Sequence, residues 1–561
     1  MSVRLQSIHA VDSARRRTAI VLTGILLVGG LVRLAGLTRV PPGINPDEAA
    51  NAWNAYCLLK TGQDQWGQRW PIFCMRAMGE YRSTLFAYAL LPFQGVGGLD
   101  EYTTRLPAAL GGLLTIVVLY ALVARLFGPG TALLAAGLLA VNPTHIQMSR
   151  WGHEAALTPL LTALPVLAAL WAGLPFDDAD RPARLRRAIV AGLVAGAACY
   201  GYPAVRLFLP LFLGCGAVIA IGSYWRCLQI RGQALAVGAY VAAFTFTFAP
   251  LLYEHIRAPD TIGRRGRTTW LWSAADPAAA RFAKVLDRYA AHFGPDFLFR
   301  HGDADEVAWT AGVGFLPWYA LPLMLVGLLV SLRRAHRSRA ARVLLVGVLL
   351  YPAGDCLNWH ISLHGLRSSA GLWALITLAA VGTSDLFERL RRTGHWGWTV
   401  SAAVALGAAV ALESVSFGRT YFGERPRQIA VYHGNAADLL AACKWLRPRL
   451  ERYDAIICTT TDLNQPYLTL LVGLAHDPRC WFSEPRQWQH AGNWDQCTRY
   501  GKFHFPRADQ RATVLDELRA AGQAQRVLLL LRPGEASPGR VIKRFFSPDG
   551  HPALIVRELT L

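Results

Sequence analysis

Two adjacent carboxylates, Asp47 and Glu48, stand in the stretch Val40-Pro-Pro-Gly-Ile-Asn-Pro-Asp-Glu-Ala-Ala50, just past the first long apolar segment of the chain. A carboxylate placed where a chain leaves the bilayer can accept a hydroxyl proton as that oxygen attacks. The same residues read as a helix start: Asn45 caps the first turn, Pro46 suits its first position, and acids there are favoured by the helix dipole. Both readings stay open, since a capped turn would also hold a base still. Three histidines, His292, His360 and His364, lie in later loops together with carboxylates. They could hold a metal, although scattered histidines more often pack or hydrogen-bond, and the ten cysteines show no Cys-x-x-Cys spacing of the zinc kind.

The elements that must position these groups belong in a membrane. With 561 residues, 53% of them hydrophobic and 17% charged, and a mean hydropathy of +0.26, the chain is too apolar for a soluble protein of several domains. Apolar runs able to cross ~30 Å of hydrocarbon recur from Thr18 to about Glu413 and then stop. They predict eleven spans, at about 18–37, 104–124, 131–148, 156–174, 188–203, 205–222, 234–252, 311–331, 341–355, 369–386 and 396–413. The formal charge of +20, from 57 Lys and Arg against 37 Asp and Glu, would raise the question of nucleic acid in a soluble protein. Here the arginines cluster in alternate short loops, among them Arg15 to Arg17, Arg181 to Arg187, Arg333 to Arg342 and Arg389 to Arg392. Short Arg-rich loops stay cytoplasmic, so the charge marks one membrane side and implies no nucleic-acid partner.

Alternation from Arg15 inside keeps every such cluster inside. It leaves outside a first loop (about 38–103), a short segment from Ser149 to Ala155, a second large loop (about 253–310), the turn from Tyr200 to Arg206, the segment from Asn358 to Ser368, and a C-terminal domain. No cleavable signal peptide is expected, because the first apolar run continues without a small-residue cleavage site. Leu85 to Phe93, interrupted by Pro92, is expected to lie along the membrane surface. The chain thus divides into a membrane module, 1–417, and a C-terminal part, 418–561, whose strand-like runs alternate with helical patterns and predict a small accessory α/β domain. In an oxidising compartment Cys57 with Cys74 and Cys480 with Cys497 are the preferred disulfide pairs, although spacing does not establish connectivity.

The outer Asp-Glu pair and the long amphipathic first loop are followed by Asp100-Glu-Tyr-Thr-Thr-Arg-Leu-Pro-Ala-Ala-Leu-Gly-Gly112 and Asn142-Pro-Thr-His-Ile-Gln-Met-Ser-Arg-Trp-Gly-His-Glu154. In this order they resemble the GT-C membrane glycosyltransferases, and most closely the branch of protein O-mannosyltransferases and lipid A aminoarabinose transferases (glycosyltransferase families 39 and 83). The resemblance covers about 20–415 in architecture, with its motifs in 40–155. It implies an α-helical polytopic membrane protein of the GT-C fold in a bacterial inner membrane. Such an enzyme moves a sugar, with inversion, from a polyprenyl-phosphate donor to an extracytoplasmic acceptor: a protein, lipid A or an envelope glycan.

Under that resemblance Asp47 is the base and Glu48 orients the acceptor or a neighbouring arginine. The leaving lipid phosphate gains charge as the sugar departs, so arginine stabilises the transition state more than the ground state. Candidates are Arg82, Arg150, Arg206, Arg264, Arg265 and Arg367; snorkelling to lipid headgroups is the alternative for each. His153, Glu154, Tyr202 and His364 complete the expected substrate-binding set, Glu154 by pairing with Arg150 or by holding the sugar. Tyr200-Gly-Tyr-Pro-Ala-Val-Arg206 resembles a tyrosine-then-arginine turn of this branch, with structural packing of the tyrosines equally open. The stretch from His292 to Asp303 resembles a segment of some bacterial relatives and suggests a structured lid. Where many relatives show a lysine and a Pro-Pro-Leu run, this chain has Gly79-Glu-Tyr-Arg-Ser-Thr-Leu85, leaving Glu80 and Arg82 as substitutes. No cofactor is implied with certainty; a divalent cation is an option that the family leaves open and these residues do not favour.

A transporter or flippase of lipid-linked glycans is the alternative function. Transporters place polar groups near the bilayer midplane and show internal repeats with broken helices. These spans carry few midplane charges and no evident repeat, which favours the enzyme.

Overall fold

The computed structural model describes residues 2–174, 181–228, 231–258, 269–359, 362–491, 494–522 and 524–561. Arg264, Arg265 and His360 lie outside the described residues. Each of the eleven expected spans contains a helix, and six helical segments are long and apolar enough to cross a membrane: Ser13–Leu34, Glu101–Phe127, Glu154–Trp171, Ala234–Arg257, Gly365–Arg392 and Trp396–Arg427. The protein is a multi-pass membrane protein.

The first helix, α1 (Ser2–Leu34), leads through a loop to α2 (Pro46–Thr61), the hairpin β1 (Met75–Ala77) and β2 (Glu80–Arg82), α3 (Leu85–Gly97) and α4 (Glu101–Phe127). The stretch at 85–93, expected along the membrane surface, is helical and continues through Pro92. Next come α5 (Pro129–Ala140), α6 (Pro143–Ser149), α7 (Thr158–Trp171), α8 (Arg181–Ala198), α9 (Pro203–Leu228) and α10 (Arg231–Arg257).

Two expected spans differ in outline. The run at 131–148 is two helices, because Asn142 leaves the helix to cap the next one, its side chain accepting the His145 N–H at 2.9 Å, with Pro143 at the first position. Arg33 of α1 closes the broken end of α5, donating to Leu139 and Ala140 carbonyls at 3.2 and 2.9 Å. The run at 311–331 is helical only over Ala320–Arg334, since Gly312, Gly314 and Pro317 hold the preceding residues in turns. That helix crosses Leu372–Arg392 at a glycine on each, Gly327 and Gly382; a Cβ on Gly382 would come within 2.7 Å of the Gly327 nitrogen. Small residues let spans approach this closely.

The C-terminal part is a seven-stranded mixed sheet in the order β4-β5-β6-β3-β7-β9-β8. Its strands are β3 (Ala455–Cys458), β4 (Arg486–Ala491), β5 (Trp494–Tyr500), β6 (Phe503–His504), β7 (Arg526–Leu531), β8 (Arg540–Phe546) and β9 (Pro552–Thr560), with β3 parallel to β6 and β7. Alternation along the central strands sends Ile457, Val527 and Leu529 to one face, against Leu515, and Ile456, Cys458, Leu528 and Leu530 to the other. The second face does not close on its own helices alone. Its core runs on through Leu440 and Tyr467 into Trp53, Ala49 and Cys57 of α2, so the first loop and the C-terminal domain share one hydrophobic core. They therefore lie on the same side of the membrane.

The four cysteines of the expected disulfides are free thiols. Cys57 sits on the face of α2 that enters this shared core, whereas Cys74 is outside that core; Cys497 is buried on β5 beside Trp488, and Cys480 lies on the short helix Pro478–Ser483. Packing of the loop against the sheet does the work assigned to covalent links.

Candidate active site

Asp47 and Glu48 open α2 as a capping box: Asn45 accepts the Asp47 N–H at 2.9 Å, and the Asn45 N–H donates to Glu48 at 3.1 Å. The two acids then part company. Glu48 points inward, fully buried, and accepts from Arg105 Nε and Nη2, both at 2.8 Å, and from the Gly152 N–H at 2.7 Å. Arg105 gives its other protons to the Leu37, Pro41 and Gly43 carbonyls at 2.8–3.0 Å. One buried ion pair thus ties the end of the first span, the start of α2, and the Arg150–Glu154 corner together.

Asp47 points the other way and forms an ion pair with Arg82 of β2. Its side chain stays 33% exposed, whereas those of Glu48 and Glu154 are 0% and 7%. Arg82 also reaches Glu154 at 3.5 Å, and Asn51, one helical turn beyond Asp47, donates to Glu154 at 2.9 Å. Burial alone would lower the Arg82 pKa, but the Asp47 and Glu154 carboxylates beside it raise it above the usual arginine value. His153 accepts the Ala155 N–H on Nδ1 at 3.0 Å, and its Nε2 lies 3.7 Å from Asp47.

The expected Tyr-Arg turn closes the opposite wall. The Tyr202 ring meets His153 edge-on at 6.0 Å, and burial pushes its phenol up to about 12 despite the Arg367 guanidinium hydrogen-bonded to it. Arg206 donates to the Ser83 hydroxyl at 2.8 Å and to the Cys199 carbonyl at 3.0 Å, which places it one residue along from Arg82. Arg367 in turn lies 3.6 Å from Asp355, a fully buried carboxylate also held by Arg288 at 2.6 Å, His292 at 3.4 Å and the His364 N–H at 3.0 Å. His364 pairs with Asp303 at 3.1 Å, and Asp303, though burial opposes ionisation, is held at about 2 by that pair and by the Asp305 and Gly365 N–H groups.

The structure therefore brings Asp47, Arg82, His153, Glu154, Tyr202, Arg206 and Arg367 into one constellation, with His364 one contact further out. Arg150 stands elsewhere. Its guanidinium donates to the Val32, Arg33, Gly36 and Val40 carbonyls at 3.0–3.1 Å and stacks 4.8 Å from the Phe422 ring. It clamps the C-terminal end of α1, and Glu154 pairs with Arg82 in its place. Asn51, Arg105, Asp303 and Asp355 are site or support residues that sequence reasoning missed. The signal for Asn51 was its position four residues after Asp47; for Arg105 it was a charge entering an apolar helix, which demands a counterion. Among the described residues no group of three or more His, Cys, Asp or Glu is arranged to hold a metal ion.

Comparison with known proteins follows the same lines. Residues 82–253 match a family model described as dolichyl-phosphate-mannose-protein mannosyltransferase. No curated protein matches the chain. Among solved structures, ArnT from Cupriavidus metallidurans bound to undecaprenyl phosphate is similar with a TM-score of 0.54 at 15% identity, over 96% of this chain and 97% of that one. The same enzyme in the apo state gives 0.53 at 14% identity, over 97% and 98%. The archaeal oligosaccharyltransferase AglB from Archaeoglobus fulgidus, in complex with an inhibitory peptide and a dolichol-phosphate, gives 0.52 at 11% identity, over 92% of this chain and 69% of that one.

Proposed function

Because the chain carries the GT-C membrane glycosyltransferase fold, we propose that it transfers a sugar from a polyprenyl-phosphate donor to a hydroxyl acceptor, with Asp47 as base and inversion at the sugar. The observation that carries this reading is the difference between the carboxylates of the constellation. Glu48 and Glu154 are buried under several donors each, whereas Asp47, paired with Arg82 and beside His153, keeps 33% of its side chain exposed and so remains partly open to a ligand. An acceptor can reach it.

In a single displacement the acceptor oxygen bonds to the anomeric carbon as the bond from that carbon to the phosphate oxygen breaks. The hydroxyl proton passes to Asp47, and the bond electrons leave on the polyprenyl phosphate. Arg82, Arg206 and Arg367 converge where that charge grows. Among the described residues the buried Nε of Arg82 finds no hydrogen-bond partner, which supports a phosphate oxygen as its ligand. Arg264 and Arg265, outside the described residues, remain assigned to the same phosphate. Tyr202, His153 and Glu154 line the sugar, and Glu48 with Arg105 fixes the helix that carries the base. No step requires a divalent cation. The donor side, the acceptor and the C-terminal domain are assigned to the outer face of a bacterial plasma membrane, consistent with the arginine-rich loops opposite.

The test is transfer from radiolabelled polyprenyl-phosphate sugars in membranes containing wild type or Asp47→Asn. Loss of a positioned base lowers the rate by about 10²–10⁴-fold. Transfer at the wild-type rate in Asp47→Asn would remove Asp47 from the chemistry.

A further inference from the structure

Resting on the reading of Asp47 as the base, we infer that Asn435 and Ala436 of the C-terminal domain are positioning residues for Asp47 that act through Gly43 and Ile44. The two backbones touch. The Ile44 N–H donates to the Asn435 carbonyl at 2.7 Å, and the next residue, Asn45, accepts the N–H of Asp47 itself. An unbroken run of backbone and cap hydrogen bonds thus leads from the C-terminal domain to the base.

The contact is built on two conformations that few residues adopt. Gly43 has φ +70°, and a Cβ there would overlap the Asn435 carbonyl and stand 2.7 Å from the Ala437 Cα. Only glycine permits both the angle and the approach. Across from it Ala436 takes φ +45°, a left-handed conformation uncommon for a residue with a Cβ, which persists where the surroundings over-determine it. Asn435 is 1% exposed, and its side chain donates to the Val431 carbonyl at 2.8 Å, fixing the carbonyl that Ile44 uses.

On its other side the Gly43 carbonyl accepts from Arg105. The loop before the base is therefore gripped from the membrane bundle through Arg105 and from the C-terminal domain through Asn435. Behind it α2 is held by Trp53, edge-on to Trp481 at 5.9 Å. Without the second grip the base would keep its counterion but lose its register. A displacement near 1 Å costs about 10²-fold in rate, with no substrate contact removed.

The experiment compares purified wild type, Gly43→Ala, Asn435→Ala and Asp47→Asn for kcat, donor KM and melting temperature, each rate taken per folded enzyme. Asn435→Ala keeps the carbonyl and the backbone N–H bond to Val431 but removes the side-chain bond that helps to fix that carbonyl, so it reads the positioning if Gly43→Ala does not fold. The expected result is a fall in kcat of more than about 5-fold and up to about 100-fold, with donor KM unchanged. A smaller fall in kcat, or a raised donor KM in its place, overturns the inference. Inactive Asp47→Asn beside fully active Asn435→Ala overturns the positioning role alone, whereas active Asp47→Asn overturns the assignment of the base on which it rests.

Discussion

Asp47 and Glu48 are neighbours in sequence with opposite energetic roles. Glu48 and Arg105 are both fully buried, so removing one partner strands the other charge, at a cost of about 3–5 kcal/mol. Glu48→Ala is therefore expected to lose folded protein, read as the monodisperse fraction in detergent by size-exclusion chromatography, whereas Asp47→Asn should retain it while losing transfer. Equal folded yields for the two variants would refute this division. The acid pair was legible from its position after the first span, and so were Arg82, Arg206 and Arg367. Arg150 was not, because a chain of letters does not say whether an arginine at a span end faces a phosphate or the bare carbonyls of a neighbouring helix. Here the end of α1 offers four carbonyls and outcompetes an external ligand.

At the scale of elements, strong local signals survived and long-range ones did not. Asn142-Pro143 was visible as residues, yet the apolar letters on both sides hid the break between α5 and α6. The strands β3, β7 and β9 were foreshadowed by their runs of β-branched and aliphatic residues, whereas the hairpin of β4 and β5, rich in Gln, His and Trp, was not. Beside this hairpin lie one half-buried and one buried histidine with an effect on pH dependence. His476, bonded to the Tyr500 hydroxyl at 2.5 Å, is lowered by burial to about 4, and His504 is lowered by burial and by Arg499 to about 4. Each folded pKa lies below the unfolded value near 6.5. Their neutral forms therefore contribute fully above pH 6.5, and the contribution is lost as pH falls through 4. Tryptophan-detected melting should fall on acidification from pH 7 to 4.5, by up to about 3 kcal/mol for each histidine. His476→Phe with His504→Phe should flatten the profile; an unchanged slope in the double variant would rule these histidines out as its cause.

For the whole molecule, membrane class, helical content and the α/β character of the last part follow from hydropathy and periodicity. What hydropathy could not show is that the sheet and the first loop form one core, since that core joins positions 44–57 to 436–556 and no local pattern encodes their pairing. The arrangement makes a topological prediction. A cysteine at the exposed Gln68 and a tag after Leu561 should react with membrane-impermeant reagents from one side, and a cysteine at Arg15 from the other, as an odd number of crossings requires. Labelling of Arg15→Cys from the same side as Gln68→Cys would break the eleven-span account.

The contact between Gly43 and Asn435 also sets an order of events in time. A ribosome must extend the chain by almost four hundred residues after the acid pair has been made before its second support exists. On the proposed reading the nascent bundle during that interval holds its arginines without a fixed Asp47 among them. On the proposed reading competence therefore arrives late in synthesis, and a chain cut short before the sheet would keep its spans with sugar transfer much reduced.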